Sequence, residues 1–344
     1  MPAEALSVEV IPFALSFHRP YVTATGTLGR RESVLLRVRD ENGITALGEG
    51  VPMSLRGGDP LAAVVGELEA WADDPSRPLA SAPARCAVAI ALADLEAKRA
   101  ELPLWRYLDA SAAPRTLACN ATITAGGPAD VVRQCEAWAG DGFEVFKLKA
   151  GPDEALDVAR AVRDALGPSA RIRLDANGTW AERAPSLLRD LEPVGIELVE
   201  EPVTGIADLA RLSTSTGIPL VADESVNDAA QAADAAGVRA CAAVTVKLTK
   251  MGGLGVDLGR HLPTYLSSAL DGPVGIAAAA HAAQTLDPAL PWPGMAHGLA
   301  TERLFRETIA ANGPLVSGNA LDPPAAGHGL GVELDEEALT RCRI

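Results

Sequence analysis

The apolar positions change their rhythm partway along the chain. From the start to about residue 55 they read as strands, and VLLRVRDENGITALGEG reads as a hairpin with Glu41, Asn42 and Gly43 at its turn. From Ser81 to about Lys98 the stretch SAPARCAVAIALADLEAK predicts a helix, with a Ser start, a nearby Pro, an apolar face and a Lys close. The small-residue stretch DASAAPRTL, Asp109 to Leu117, predicts a boundary. Beyond it strands alternate with helices. TLACNATI, EVFKLKA, RIRLDANG, IELVEEP, PLVADES, AAVTVKLTK and PTYLSSAL are strands, separated by helical segments such as PADVVRQCEAWAGDG and DEALDVARAVRDALG. Some seven such units predict a parallel sheet closed into a (β/α) barrel. The competing architecture is an open doubly wound sheet. It lacks support, because MGGLG does not have the GxGxxG spacing of a phosphate loop and reads as a tight turn.

Charge enters this pattern at regular places. Lys147 and Lys149 share one face of the apolar strand in FKLKAG. By itself this is what a solvated edge strand looks like. The register says more. Lys149, Asp175, Glu200 with Glu201, Asp223 with Glu224, and Lys247 each end a successive strand, at steps of roughly 25 residues. Side chains at the carboxyl ends of barrel strands converge on one mouth. Carboxylates from neighbouring strands make an oxygen-rich site that suits a hard divalent cation such as Mg²⁺. A lysine beside a second cation has its pKa pushed down, towards use as a base. Periodicity ends the apolar run at Lys247 and leaves Lys250 in the turn. A buried salt-bridge network is the plain structural reading of the same residues.

Composition narrows the class. The 344 residues, 48% hydrophobic and 22% charged, are enough for a barrel and a smaller domain. The net charge of −15, with no Lys/Arg cluster, argues against a nucleic-acid partner. No apolar run reaches the roughly 18–20 residues of a membrane span; VGIAAAAHAAQTL is short and broken by His281. The start, MPAEALSVEVIPF, lacks the basic region of a secretory leader. Cys86, Cys119, Cys135, Cys241 and Cys342 are odd in number and form no CxxC, so they read as reduced thiols of a cytoplasmic protein, none in an activating context.

KLK, DANG, VEEP, ADES and VKLTKMGG, in this order and spacing, resemble the enolase superfamily, in its muconate-lactonising subgroup. The resemblance covers nearly the whole chain. It implies an α/β fold, a (β/α)7β TIM-like barrel over residues 114–319. An α+β capping domain would span 1–113 and be completed by the tail 320–344. It implies Asp175, Glu200 and Asp223 as ligands of Mg²⁺, with Mn²⁺ as a substitute, and Lys149 and Lys247 as the acid/base or charge-stabilising pair. Lys147, Glu201, Glu224 and Asn177 would orient the ligands or pair with the lysines. The shared chemistry is proton abstraction α to a carboxylate, through a metal-stabilised ene-diolate. Within the superfamily, YLSSALDGPVGIAAAAHAAQTL, MAHGLAT and the cap stretch FHRPYVTATGTLGRRES are similar to the o-succinylbenzoate synthases. That similarity implies dehydration of a small-molecule carboxylate. Racemisation of N-succinylamino acids and epimerisation of dipeptides use the same five residues and stay open. The Asp-x-Asp that holds a dipeptide's amine is absent from VSGNALDPP. A barrel that merely binds an organic acid would lack one of the five, and all are present.

Substrate contacts are expected from Asn120 at the end of the first barrel strand, from Ser267 and Ser268 at the end of the seventh, and from Arg19 in the cap. Met53 and Leu55 read as apolar lid residues. His297 is given no role. The sequence does not report an oligomeric state.

Overall fold

The computed structural model describes residues 6–23, 26–53, 57–254, 261–289, 291–313, 315–323 and 327–344. Leu55 lies outside them. The chain opens with an antiparallel sheet of β1 (Ser7–Thr23), β2 (Gly26–Arg39) and β3 (Thr45–Gly50). The β2–β3 turn falls at Glu41–Gly43, as the pattern predicts. Asp40 holds it: its carboxylate accepts the N–H groups of Asn42 at 3.0 Å and Ile44 at 2.9 Å. Helices α1 (Leu61–Asp73), α2 (Ala82–Arg99) and α3 (Leu104–Leu108) follow. The Ser81 hydroxyl caps α2 by accepting the Ala84 N–H at 3.3 Å.

The expected strand over TLACNATI is divided. β4 (Leu117–Ala118) pairs with β13 (Ala320–Leu321), which in turn pairs with β12 (Val316–Ser317). Only β5 (Ala121–Ile123) enters the parallel sheet. Between them the backbone turns to bond with residues far along the chain: Cys119 N–H to Asn319 O and Asn120 N–H to His297 O.

The parallel sheet runs β5, β6 (Val145–Lys149), β7 (Arg171–Asp175), β8 (Ile196–Glu200), β9 (Leu220–Ala222), β10 (Ala243–Val246) and β11 (Thr264–Leu266), in sequence order. Helices α4 (Pro128–Gly140), α5 (Ala155–Leu166), α6 (Ala184–Leu191), α7 (Ile206–Ser213), α8 (Ala229–Gly237), α9 (Leu248–Met251) and α10 (Pro273–Ala283) are the crossovers. His297 and Gly298 close the ring as a short eighth strand, bridging Cys119 on one side and Ser267 on the other. The fold is a (β/α)7β barrel with an α+β cap. Strand β6 is buried on both faces, as helix-covered parallel strands are. The all-apolar VGIAAAAHAA becomes α10, buried along its whole length. Among the described residues no helix is long and apolar enough to cross a membrane. The last helix, α11 (Glu336–Cys342), returns to the cap, where Arg343 bridges Phe13.

Candidate active site

Strand register brings the predicted charges into one layer. Lys149 pairs with Asp175 and Asp175 with Glu200, while Glu200 pairs with Val221, two residues before Asp223. All four lie at the carboxyl ends of neighbouring strands, and Lys247 follows β10 directly. Asp175, Glu200 and Asp223 are buried, at 0–2% exposure.

The lysines thread these carboxylates. Lys147 donates to Glu200 at 2.7 Å and lies 2.9 Å from Asp175, so one ammonium bridges two acids. Lys149 donates to Asp175 at 2.5 Å and to the Asn177 side chain at 3.1 Å. Lys247 donates to Asp223. Burial works against the charge on Lys147, yet Asp175 and Glu200 hold its pKa well above the ordinary lysine range. Between two acids Lys147 stays charged with its charge already paired, whereas the sequence suggested a second cation that lowers the pKa of Lys149. Burial likewise opposes ionisation of Asp175, but Lys147, Lys149 and Lys247 hold its carboxyl far below the carboxylate range.

The flanking residues are tied into this layer by hydrogen bonds. Glu201 accepts the Asp223 N–H at 2.7 Å and the Ser225 hydroxyl, and burial pushes it up to about 7. The Asn177 amide donates to Glu224 at 3.3 Å. Asn177 and Glu201 both take left-handed backbone, at φ +47° and +43°. Such strain gathers where a surrounding structure fixes a functional loop.

Three residues that the sequence left unassigned belong here. Lys250 sits one helical turn past Lys247 and donates to Asp223 Oδ1 at 3.0 Å and to the Val226 carbonyl at 3.1 Å. Burial lowers its pKa against the pull of Asp223. The Tyr265 hydroxyl donates to Glu200 at 2.6 Å; it stands two residues before Ser267, on the same strand face. Arg31 is buried in the cavity wall.

The cavity lies between barrel mouth and cap. Its barrel wall includes Thr122, Lys147, Lys149, Lys247, Ser267 and Ser268; its cap wall includes Tyr21, Leu28, Arg31 and Met53. Two expectations need correction. Asn120 precedes β5 rather than ending it, and its side chain is fully buried, donating to Ala121 O at 3.0 Å and accepting from Arg173 at 3.4 Å. The strand splits before it, so Thr122, the register partner of Lys147, takes the wall position. Arg19 is exposed, near Asp130 at 3.8 Å, and lines a separate surface groove; Arg31 is the cap arginine at the cavity. His297 packs inside the barrel, its Nδ1 accepting the Leu266 N–H at 3.1 Å, and burial drives its pKa down to about 3.

The donor set fits a hard divalent cation: three buried carboxylates, all oxygen, with positive groups already held against them. As they stand, no three Asp, Glu, His or Cys side chains among the described residues converge as they would around an ion. Lysine ammoniums lie between them.

A barrel with acids and lysines at the carboxyl ends of its strands, covered by an α+β cap, defines a class of enzyme. The chain belongs to the enolase superfamily: residues 130–338 match the Enolase C-terminal domain-like family. It is 37% identical over 204 residues to o-succinylbenzoate synthase of Thermobifida fusca (strain YX), covering 56% of this chain and 62% of that one. It is 29% identical over 308 residues to L-Ala-D/L-Glu epimerase of Bacillus subtilis (strain 168), covering 80% and 84%. Its fold matches muconate lactonizing enzyme from Pseudomonas fluorescens, solved with muconolactone, at a TM-score of 0.89 and 28% identity over 99% of this chain and 100% of that one.

Proposed function

We propose that this enzyme is an o-succinylbenzoate synthase of menaquinone biosynthesis. It would dehydrate 2-succinyl-6-hydroxy-2,4-cyclohexadiene-1-carboxylate to o-succinylbenzoate. The observation that carries this reading is the charge of the cavity wall. Among its described residues every charged one is basic: Arg31, Lys147, Lys149 and Lys247. Such a wall suits a substrate with two carboxylates and no amine. A dipeptide carries a free ammonium, for which the described wall residues offer no acid beyond the carboxylates already bonded to their lysines. The match to the T. fusca synthase supports the same choice.

In this reading Asp175, Glu200 and Asp223 hold Mg²⁺, with Mn²⁺ as a substitute. When bound, the ion supplies positive charge where negative charge develops on the substrate carboxylate. Lys149 takes the α-proton and returns it to the departing hydroxyl. A C–H and a C–O bond break, a ring double bond forms, and one water leaves. Lys247 sets its charge opposite the developing anion. Lys147, Asn177, Glu201 and Glu224 keep acids and lysines in place. Ser267 and Ser268 receive the succinyl carboxylate. Because the product is aromatic, positioning contributes more than strong acid–base power. Residues 1–113 with 320–344 act as the cap over the barrel of 114–319. The five unpaired cysteines suit a reducing cytoplasm.

A second reading, N-succinylamino acid racemisation, would use the same two lysines, which stand on separate strand ends. Its substrate is also a dianion without a free amine. The test is a spectrophotometric assay with Mg²⁺ and the cyclohexadiene carboxylate. Formation of the aromatic product, abolished by EDTA, is expected. Metal-loaded protein that gives no product would sink the synthase reading. Deuterium exchange at Cα of N-succinylamino acids would then establish the racemase.

A further inference from the structure

One short segment of the cap bonds to the backbone and side chains that follow two walls of the cavity. It is Gly48–Val51, at the end of β3. Its glycines lie against α2: a Cβ on Gly48 would fall 1.9 Å from the Ala87 carbonyl oxygen, and one on Gly50 2.3 Å from that of Pro83. No side chain fits there. Strand alternation turns Glu49 the other way, towards the barrel. Glu49 is buried, and its two carboxylate oxygens accept the N–H groups of Gly272 at 2.7 Å and Gly275 at 2.9 Å. These are first-turn donors of α10, which have no partner within the helix. A cap residue thus closes the start of a barrel helix 223 positions away in sequence.

The loop it fixes is the cavity wall. Ser267, Ser268, Ala269 and Leu270 line the cavity immediately before Gly272. Asp271 folds back on this loop, accepting the Ser268 hydroxyl at 2.8 Å and the Ala269 N–H at 2.7 Å. Leu270 is held at φ +67°, which residues other than glycine seldom adopt. A loop kept in that state is pinned at both ends, by Asp271 within it and by Glu49 beyond it.

Two residues on, the segment reaches the turn that follows Lys247 of the other wall. The Val51 N–H donates to the Thr249 hydroxyl at 3.0 Å, and that hydroxyl donates to the Val51 carbonyl at 3.1 Å. Thr249 is buried and lies two residues after Lys247.

We infer that Glu49 and Thr249 are positioning residues that set the cap in register over the barrel: Glu49 fixes the Ser267–Leu270 wall, and Thr249 fixes the turn that carries Lys247. This rests on the cavity being the reaction site, whichever acid is turned over there. Simple cement between cap and barrel would lower the melting temperature and nothing else. Positioning splits the kinetics. Thr249→Val keeps the shape and loses both bonds; it should lower kcat about tenfold with KM within about twofold, and Thr249→Ser should restore it. Glu49→Gln keeps one acceptor oxygen; it should raise KM about tenfold with kcat within about threefold. Unchanged kinetic constants in both variants would overturn the inference, whatever their melting temperatures. If Glu49→Gln does not fold, the Thr249→Val and Thr249→Ser pair decides. If the wild type turns over neither acid, the proposed reaction fails on its own account. Amide hydrogen exchange of the full chain then decides: faster exchange confined to 267–276 in Glu49→Gln and to 246–253 in Thr249→Val supports positioning, and unchanged exchange refutes it.

Discussion

Two charge clusters among the described residues of the barrel differ instructively. At the mouth, lysines meet Asp175, Glu200 and Asp223. Deeper in, Arg173 is fully buried: its Nε donates to Glu197 at 2.7 Å and its Nη1 to the Ala296 carbonyl at 2.8 Å, and its guanidinium lies 5.6 Å from the Tyr265 ring centre. Arg171 and Trp292 also bond Glu197, at 3.1 and 3.3 Å. Burial opposes the charge of Glu197, but Arg173 and Arg171 hold its carboxyl below the ordinary range. The clusters meet at one layer, where Lys147 and Arg173 are register partners. The deep cluster spends its arginine forks on fixed acceptors. The mouth uses lysines, compact charges on flexible stems, and three of them face the cavity. Buried charge alone therefore does not mark a reaction site. What sets the mouth cluster apart is that its charges border free space.

The largest expected effect breaks the mouth alone. Lys149→Ala should cut turnover by about 10³-fold, the scale of a lost general base, with a melting temperature close to that of the wild type. Equal losses of activity and stability would erase the contrast between the clusters. The converse variant, Arg173→Met, leaves the partly buried Glu197 with less compensation. It should cost about 3 kcal/mol in urea unfolding while the folded protein keeps kcat within about threefold. A smaller effect probes a buried acid outside both clusters. Glu302 accepts the Leu315 N–H at 3.1 Å, and burial pushes its carboxyl from 4.5 up to about 7. A raised carboxyl binds its proton more tightly in the folded chain. Its contribution is full below pH 4.5 and is lost as pH rises through 7, a change of roughly 3 kcal/mol. Glu302→Gln mimics the protonated form, so it should gain stability relative to wild type at pH 8 and little at pH 4. Melting curves at the two pH values check this, and equal differences at both would refute it.

Several residues show where sequence reading ends. KLK, DANG, VEEP and ADES could be aligned by strand period, and the fold places their charges in one layer. RIR in β7 has the same alternation as KLK in β6, yet Arg173 belongs to the deep cluster. Period gives the face of a strand, and depth along it comes from register with neighbours. Lys250 was legible as one helical turn from Lys247 only once α9 was known to begin there. Asn120 and Arg19 failed for another reason. A partner far away in sequence, His297, sets the position of Asn120, and the cap strand that carries Arg19 turns it to solvent on another groove.

The sequence by itself determined the order of strands and helices and the spacing that carries acids and lysines to the same strand ends. Both follow from local periods, 2 for a strand and 3.6 for a helix, repeated along the chain. Only the tertiary structure decided how the barrel closes, which cap residues border the cavity, and that Glu49 reaches α10. Closure needs His297 and Gly298 beside Cys119 and Ser267. The cap contact needs two glycines thin enough for α2 to approach β3. Such contacts join residues up to hundreds of positions apart, and no local period encodes the distance between them.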